Sequence, residues 1–298
     1  MAEERVGFIG TGTIGGPMAK RLLDAGHALV VCDRVESATA PLVAAGAHRA
    51  ATPREVAAAC RVVFTSLPGP REVEEVATGR GGLLEGARAG DVHVDLSTSA
   101  FDAVRALAAR EAVAGVQLVD APVSGGAMGA SQGTLTVMAS GDRAAFERVE
   151  PFLAAFAKNV FHLGESGNGT LTKLVNNAIF LCGGLLVQET FAMAAKAGLD
   201  PNRLLEVVQK SSGAAYAGLA KLLLGRGFDN AFFQLALAEK DVALALASAK
   251  GLGVPMPVIE AAHASYARAL ELGLGKKLFA ATLLAVEDAA GVEVPRVG

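Results

Sequence analysis

Two residues four apart, Lys173 and Asn177, sit inside a run from Leu171 to Ala197 that holds no proline and few polar positions. On a helix they share one face, one turn apart. An ammonium in an apolar surround loses hydration, and a neighbouring positive charge disfavours its charged form further. Both effects lower its pKa toward the range useful for proton transfer. Such a group can take a proton from a hydroxyl or return one to a carbonyl, with Asn177 orienting the lysine or the reacting oxygen. The plainer alternative is a lysine whose stem covers apolar surface while its head reaches water; Asn177 and the flanking glycines weigh against it. Asn176 suits an ordinary backbone hydrogen bond.

A second group lies upstream. Ser124, Gly125 and Gly126 follow an apolar strand-like segment, and two glycines let backbone N–H groups turn toward an anion while the hydroxyl adds a third donor. A third opens the chain: Gly10-Thr11-Gly12-Thr13-Ile14-Gly15, after Val6–Ile9 and before a helix-like Pro17–Ala25. Gly10 permits the tight turn, Gly12 the approach of a pyrophosphate, and Gly15 close helix–strand packing. The helix N-terminus then offers N–H groups and partial positive charge to phosphates. Asp33 ends the next strand-like segment at the spacing of a ribose-binding acid, which selects NAD over NADP. An aspartate there also suits a plain turn, and Arg34, able to pair with a 2′-phosphate, keeps NADP open.

These groups need a scaffold that alternates strands with helices. Strands are expected at Val6–Ile9, Leu29–Cys32, Val62–Ser66, Val92–Asp95, Gln117–Asp120, Leu135–Ala139 and Val160–His162, with helices between most of them; one is opened by the capping box Thr52-Pro53-Arg54-Glu55. That alternation implies crossovers and a mostly parallel sheet. Beyond Gly164 the pattern becomes helical: Leu171–Ala197, a helix capped by Asp200-Pro201, then Leu235–Lys250, Val258–Leu272 and Lys277–Ala290. The expected fold class is therefore an α/β Rossmann-type domain over residues 1–164, joined by a long helix to an all-α domain over residues 165–298. A helix apolar on most faces needs a partner domain or another subunit, so a homodimer or homotetramer is expected.

Of the 298 residues 52% are hydrophobic and the formal net charge is -3. Without clustered Lys and Arg, neither a nucleic-acid surface nor an anionic-membrane surface is expected. The acidic start Met1-Ala2-Glu3-Glu4 does not resemble a signal peptide, and the most apolar stretch, Ala178–Val187, reads as too short to span a bilayer. Cys32, Cys60 and Cys182 have no metal or redox-pair spacing, which suits a reducing cytoplasm. The five histidines are dispersed, so no metal is expected.

Beyond these groups the sequence resembles the β-hydroxyacid dehydrogenase family over nearly its whole length. The resemblance rests on Phe8 through Ala19, Leu67-Pro68, Asp95-Leu96-Ser97-Thr98, Asp120-Ala121-Pro122-Val123-Ser124-Gly125-Gly126, Gly169 through Lys173 to Asn176-Asn177, and Lys240-Asp241. It implies that Lys173 is the general acid/base and that the Ser124–Gly126 segment holds a substrate carboxylate. It also implies that Leu67, Pro68 and Thr98 line the cofactor, and that Lys240 closes over cofactor or substrate, in a cleft between the domains. Without the resemblance Thr98 would be a helix cap and Lys240 a solvated partner of Asp241. The family's usual proline shortly after Ser97-Thr98 is missing here, where Ser99-Ala100-Phe101 follows. The implied substrate is a three- to four-carbon acid bearing a β-hydroxyl, or its aldehyde acid, with 3-hydroxyisobutyrate and tartronate semialdehyde the leading expectations. Two rivals stand beside it: an imine reductase on the same scaffold, and a non-catalytic NAD-binding module.

Overall fold

The structure, a computed structural model, describes residues 5–297; the acidic start Met1–Glu4 lies outside the described residues. Short runs rich in Val, Ile, Leu and Phe suit strands buried on both faces. That is how they fold. The strands are β1 (Val6–Ile9), β2 (Leu29–Cys32), β3 (His48–Arg49), β4 (Val62–Thr65), β5 (Val92–Asp95), β6 (Gln117–Asp120), β7 (Val123–Ser124), β8 (Leu135–Gly141) and β9 (Ala157–His162). They form one sheet in the order β3-β2-β1-β4-β5-β6-β8-β7, with β9 paired to β8. Strands β1 to β6 are parallel to their neighbours, whereas β8 runs antiparallel to β6 and β7 and parallel to β9.

Four strands have the bounds expected from sequence. β4 stops at Thr65, β8 continues to Gly141 and β9 begins at Ala157. β3 and β7, two residues each, are too short for any periodicity to reveal them. Phe8, Phe64 and Phe156 fill the core beneath the sheet, Phe8 stacked on Phe64 at 6.0 Å and Phe156 edge-on to Phe64 at 6.3 Å. Met18, Ala19 and Leu22 of the Gly15–Asp24 helix pack into the same cluster. The Thr52 cap forms, its Oγ1 accepting from Glu55 N at 3.2 Å, but Glu55 reaches back to Ala51 N at 2.8 Å rather than to Thr52.

The long helix spans Asn168–Lys196, and the chain divides into two compact units inside it, one up to Lys173 and one from Leu174 onward. The second unit continues through helices Pro201–Gln209, Ala217–Leu224, Leu235–Gly251, Pro257–Glu271 and Thr282–Ala290. Asp200 caps the first of these on Asn202 N at 2.9 Å. The single helix expected over Lys277–Ala290 is not formed. Leu278 N donates to Phe228 O and Lys277 O accepts from Leu235 N, so this backbone is spent on other segments, and a 3₁₀ turn at Phe279–Ala281 precedes the last helix.

The stretch Ala178–Val187, read alone as too short to cross a bilayer, belongs to a helix of 29 residues that is long and apolar enough to do so, with mean hydropathy 1.6 over its most apolar window. Within the second unit, Leu181, Leu185, Val187, Phe191 and Ala192 of that helix lie in the helical core, as a core helix requires. Phe64 is wholly buried at the centre of the first unit's aromatic cluster. Phe64→Ala should destabilise that unit by roughly 3–5 kcal/mol, measured by chemical denaturation followed through sheet circular dichroism.

Candidate active site

The glycine loop leaves β1 at Ile9. Gly10 has φ +88°, and a Cβ there would lie 2.3 Å from Ser66 O; a Cβ on Gly15 would lie 1.9 Å from Gly10 O. Both positions therefore need glycine, Gly10 for its backbone and Gly15 for the close return of the chain. Gly12 differs, since the space beside its Cα is open, as the approach of a ligand requires. The following helix is entered through Ile14 with no side-chain cap and no acid in its first turn. Its N–H groups and dipole are left to an anion. Thr13 is exposed and Thr11 buried. This loop fits a dinucleotide pyrophosphate: Gly12 gives the room and the helix gives the charge.

Asp33 is drawn onto that loop. Its Oδ2 accepts from Thr11 N at 2.7 Å and its Oδ1 from Val35 N at 2.8 Å. The acid expected to meet a ribose thus also holds the loop in place, with lone pairs left over on both oxygens. Arg34 beside it is exposed.

Leu67-Pro68 and Thr98 lie just past the carboxyl ends of β4 and β5, and buried side chains tie those two loops together. Asp95 Oδ1 accepts from Thr65 Oγ1 at 2.8 Å, from Ser97 Oγ at 2.6 Å and from Ser97 N at 3.1 Å, while Ser97 Oγ accepts from Leu67 N at 2.9 Å. Behind them His93 Nε2 meets Thr65 Oγ1 at 2.9 Å and His93 Nδ1 meets Glu111 Oε1 at 2.7 Å. Burial pushes the imidazole toward neutrality, but the Glu111 carboxylate outweighs it and holds His93 above its usual range. Thr65 Oγ1 donates to Asp95, so His93 Nε2 donates to Thr65, and Nδ1 faces the Glu111 carboxylate. The Phe101–Val113 helix beyond Thr98 is entered through Ala100 in an extended conformation. The turn forms without the family's proline.

Ser124 ends β7 opposite Thr136 of β8. Gly125 and Gly126 follow with φ +127° and +62°, two successive conformations that side-chain-bearing residues avoid, and the short helix that begins there has no side-chain cap. Lys173 is buried, 8% exposed, in the second turn of the long helix. The first turn is held by Asp120, whose Oδ2 accepts from Thr170 N and whose Oδ1 accepts from Thr170 Oγ1, each at 2.7 Å. Burial pushes the Asp120 carboxyl up to about 7, its bonds to Thr170 working against that and nearby Asp95 adding to it.

In the second unit Asn177 Nδ2 donates to Asp241 Oδ2 at 2.7 Å, and Asn177 Oδ1 accepts from Asn176 Nδ2 at 3.2 Å. Lys240 Nζ stands 2.8 Å from Asp241 Oδ1, and its side chain is only a quarter exposed. This is no solvated surface pair. Asn177 and Lys240, 63 positions apart in sequence by their numbers, are thereby brought to one carboxylate. Sequence reasoning gave no role to Asp241, Asp95, Ser97 or Asp120 by themselves. The spacing Asp95-x-Ser97 is an Asx-turn signal that would have pointed to the loop tie; nothing local marks Asp120 or Asp241 as anchors.

Two family models match in series. The NAD binding domain of 6-phosphogluconate dehydrogenase matches residues 5–164, and the NAD-binding domain of NADP-dependent 3-hydroxyisobutyrate dehydrogenase matches residues 167–286. The chain is 37% identical to 2-(hydroxymethyl)glutarate dehydrogenase of Eubacterium barkeri, covering 97% of each. It is 36% identical to 3-hydroxyisobutyrate dehydrogenase of Pseudomonas aeruginosa, covering 85% of this chain and 88% of that one. Among solved structures, Mycobacterium tuberculosis 3-hydroxyisobutyrate dehydrogenase with L-serine superposes with a TM-score of 0.85 at 28% identity, covering 95% and 99% of the two chains. A glycine loop built for a dinucleotide, a buried lysine in the second turn of the long helix and similarity over almost the entire length lead to one assignment: the chain belongs to the β-hydroxyacid dehydrogenase family.

Proposed function

We propose that this protein moves a hydride between NAD and a small 3-hydroxy acid, with Lys173 as general acid/base. The observation that carries the reading is the burial of Lys173 one turn beyond the docked start of the long helix. Desolvation disfavours the charged form of a buried amine, which is the direction that proton transfer needs. The nicotinamide supplies the hydride acceptor when bound. The chain does the rest. Ser124 Oγ and the N–H groups of Gly125 and Gly126 hold the substrate carboxylate. Lys173 Nζ takes the hydroxyl proton as the carbonyl forms, and returns it in the reductive direction. Asn177, its amide fixed by Asp241, orients the lysine or the reacting oxygen, and Lys240, as the family resemblance implies, meets cofactor or substrate. Leu67, Pro68 and Thr98 line the cofactor.

The relatives named for 2-(hydroxymethyl)glutarate, 3-hydroxyisobutyrate and L-serine share one chemistry, a carboxylate two carbons from the carbon that is oxidised. That shared unit fits an anion clamp and a proton carrier at fixed separation, while the remainder of each molecule differs. The substrate class of this chain is accordingly any small acid with a β-hydroxyl, including larger members such as a hydroxymethyl dicarboxylate. Imine reductases share the fold at 20% to 24% identity, which supports the scaffold and not their reaction. The free thiols Cys32, Cys60 and Cys182 suit the reducing cytoplasm we assign to the protein. Val175, Ile179, Leu186 and Met193, apolar and more than half exposed on the long helix, support a homo-oligomer formed through that helix; light scattering should give a mass at least twice that of one chain.

Initial rates of NAD and NADP reduction across a panel of 3-hydroxy acids test the function. Turnover with NAD is expected, and Lys173→Ala should lower kcat by roughly 10²–10⁴-fold; equal turnover in both proteins would remove Lys173 from the mechanism. Binding of NADH without turnover on any acid would favour a cofactor-binding module. Ser124→Ala should raise KM for the acid while leaving the affinity for NADH unchanged. Asp33→Asn keeps an acceptor for Thr11 N but removes the charge that repels a 2′-phosphate. It should shift the NAD-to-NADP ratio of kcat/KM by about tenfold toward NADP.

A further inference from the structure

The loop between β6 and β7 connects two things that the reaction must keep at a fixed separation. Asp120, the last residue of β6, lies four positions before Ser124, and its side chain holds the start of the helix that carries Lys173. We propose that Asp120 is a positioning residue, docking the first turn of the long helix so that Lys173 is set against the Ser124 segment. The proposal rests on the reading of Lys173 as the proton carrier.

The docking is complete in its hydrogen bonds. Asp120 Oδ2 accepts from Thr170 N at 2.7 Å and from Ser140 Oγ at 3.0 Å, and Oδ1 accepts from Thr170 Oγ1 at 2.7 Å. Ser140 Oγ in turn accepts from Gly169 N at 3.0 Å. Two N–H groups that a helix start leaves without intrahelical partners are thus bound to the ends of β6 and β8. Asp120, Ser140 and Thr170 are wholly buried. The helix also sits as near the strands as backbone allows: a Cβ on Gly169 would lie 2.2 Å from Met138 O and 2.8 Å from Asp120 O. Thr170 and Lys173 are three apart, neighbours on one side of the helix, so a shift or tilt of the first turn is passed directly to the lysine.

The chemistry of the anchor supports this role. All three groups that meet Asp120 are donors, and a carboxylate offers acceptor lone pairs on both oxygens. Desolvation raises its pKa to about 7, with Asp95, its register partner on β5, adding to the rise. The fold therefore keeps an acid in a place where ionisation is unfavourable, and what the acid supplies there is a fixed helix start.

Thr170→Val removes one donor without changing shape, Thr170→Ser keeps it, and Asp120→Ala removes the anchor. Each is assayed at saturating acid and NAD, with kcat expressed per NADH site found by titration, beside Lys173→Ala. We expect kcat per site to fall by about tenfold or more in Asp120→Ala and by several-fold in Thr170→Val, since a misplacement of about 1 Å can cost up to ~10²-fold. Thr170→Ser should stay within about twofold of the parent, as should NADH affinity in every variant. Lost folding alone would lower the number of sites and leave the rate at each one intact. Should Asp120→Ala not fold, Thr170→Val and Thr170→Ser decide the matter. Wild-type kcat per site in Thr170→Val, with Lys173→Ala inactive, would overturn the positioning role while leaving Lys173 in place. A fully active Lys173→Ala would overturn both.

Discussion

Ile9, Thr65, Asp95 and Asp120 stand side by side across the sheet, each the last residue of its strand and the register partner of its neighbour. That alignment of parallel strand ends is the constraint on which the rest depends. It brings the segments after β1, β4, β5 and β6 to one edge of the sheet, where ligands bind in open α/β folds. The glycine loop, Leu67-Pro68, Ser97-Thr98 and the approach to Ser124 are therefore neighbours because their strands end together. Small spacing rules along the chain become one surface.

Three of the four residues in the row are polar, and all three are buried. Buried carboxylates and hydroxyls are unfavourable unless they are bonded, and here each is. Thr65 and Ser97 meet Asp95; Ser140 and Thr170 meet Asp120. The partners are backbone or side chains of the functional loops themselves, Leu67 N through Ser97 on one side and the start of the long helix on the other. The side chains that make the strand ends unfavourable to bury are the same ones that stop the loops from moving. His93 and Glu111 extend the network away from the site into the helix behind β5. A similar device recurs in the helical unit, where buried Asp241 gathers Asn177 and Lys240.

Much of this was legible in the chain. Most strand positions in the first unit follow from short, mainly apolar runs, and the glycine loop follows from spacing within a strand–loop–helix context. Gly10, Gly12 and Gly15 each occupy the steric role that their order in the motif implies. The helical second half follows from the loss of strand-like runs after Gly164. What failed locally did so for physical reasons. Two-residue strands carry no period, and the Lys277–Leu278 backbone is claimed by Phe228 and Leu235, which no local rule could anticipate. The long helix was recognised as apolar, but its length begins at Asn168 because Asp120 and Ser140 supply partners for its first N–H groups.

The sequence by itself determined the class of fold, the cofactor loop, the identity of the buried lysine and the family, because each depends on residue type at short spacing. Only the tertiary structure decided which acids hold the machinery. Asp95, Asp120 and Asp241 act through partners 30, 50 and 64 positions away, and a carboxylate's role depends on which donors the fold brings to it. It also showed that Asp33, expected as a ribose ligand, holds the glycine loop. Type and spacing name the chemistry; burial and long-range hydrogen bonds fix the atoms that perform it.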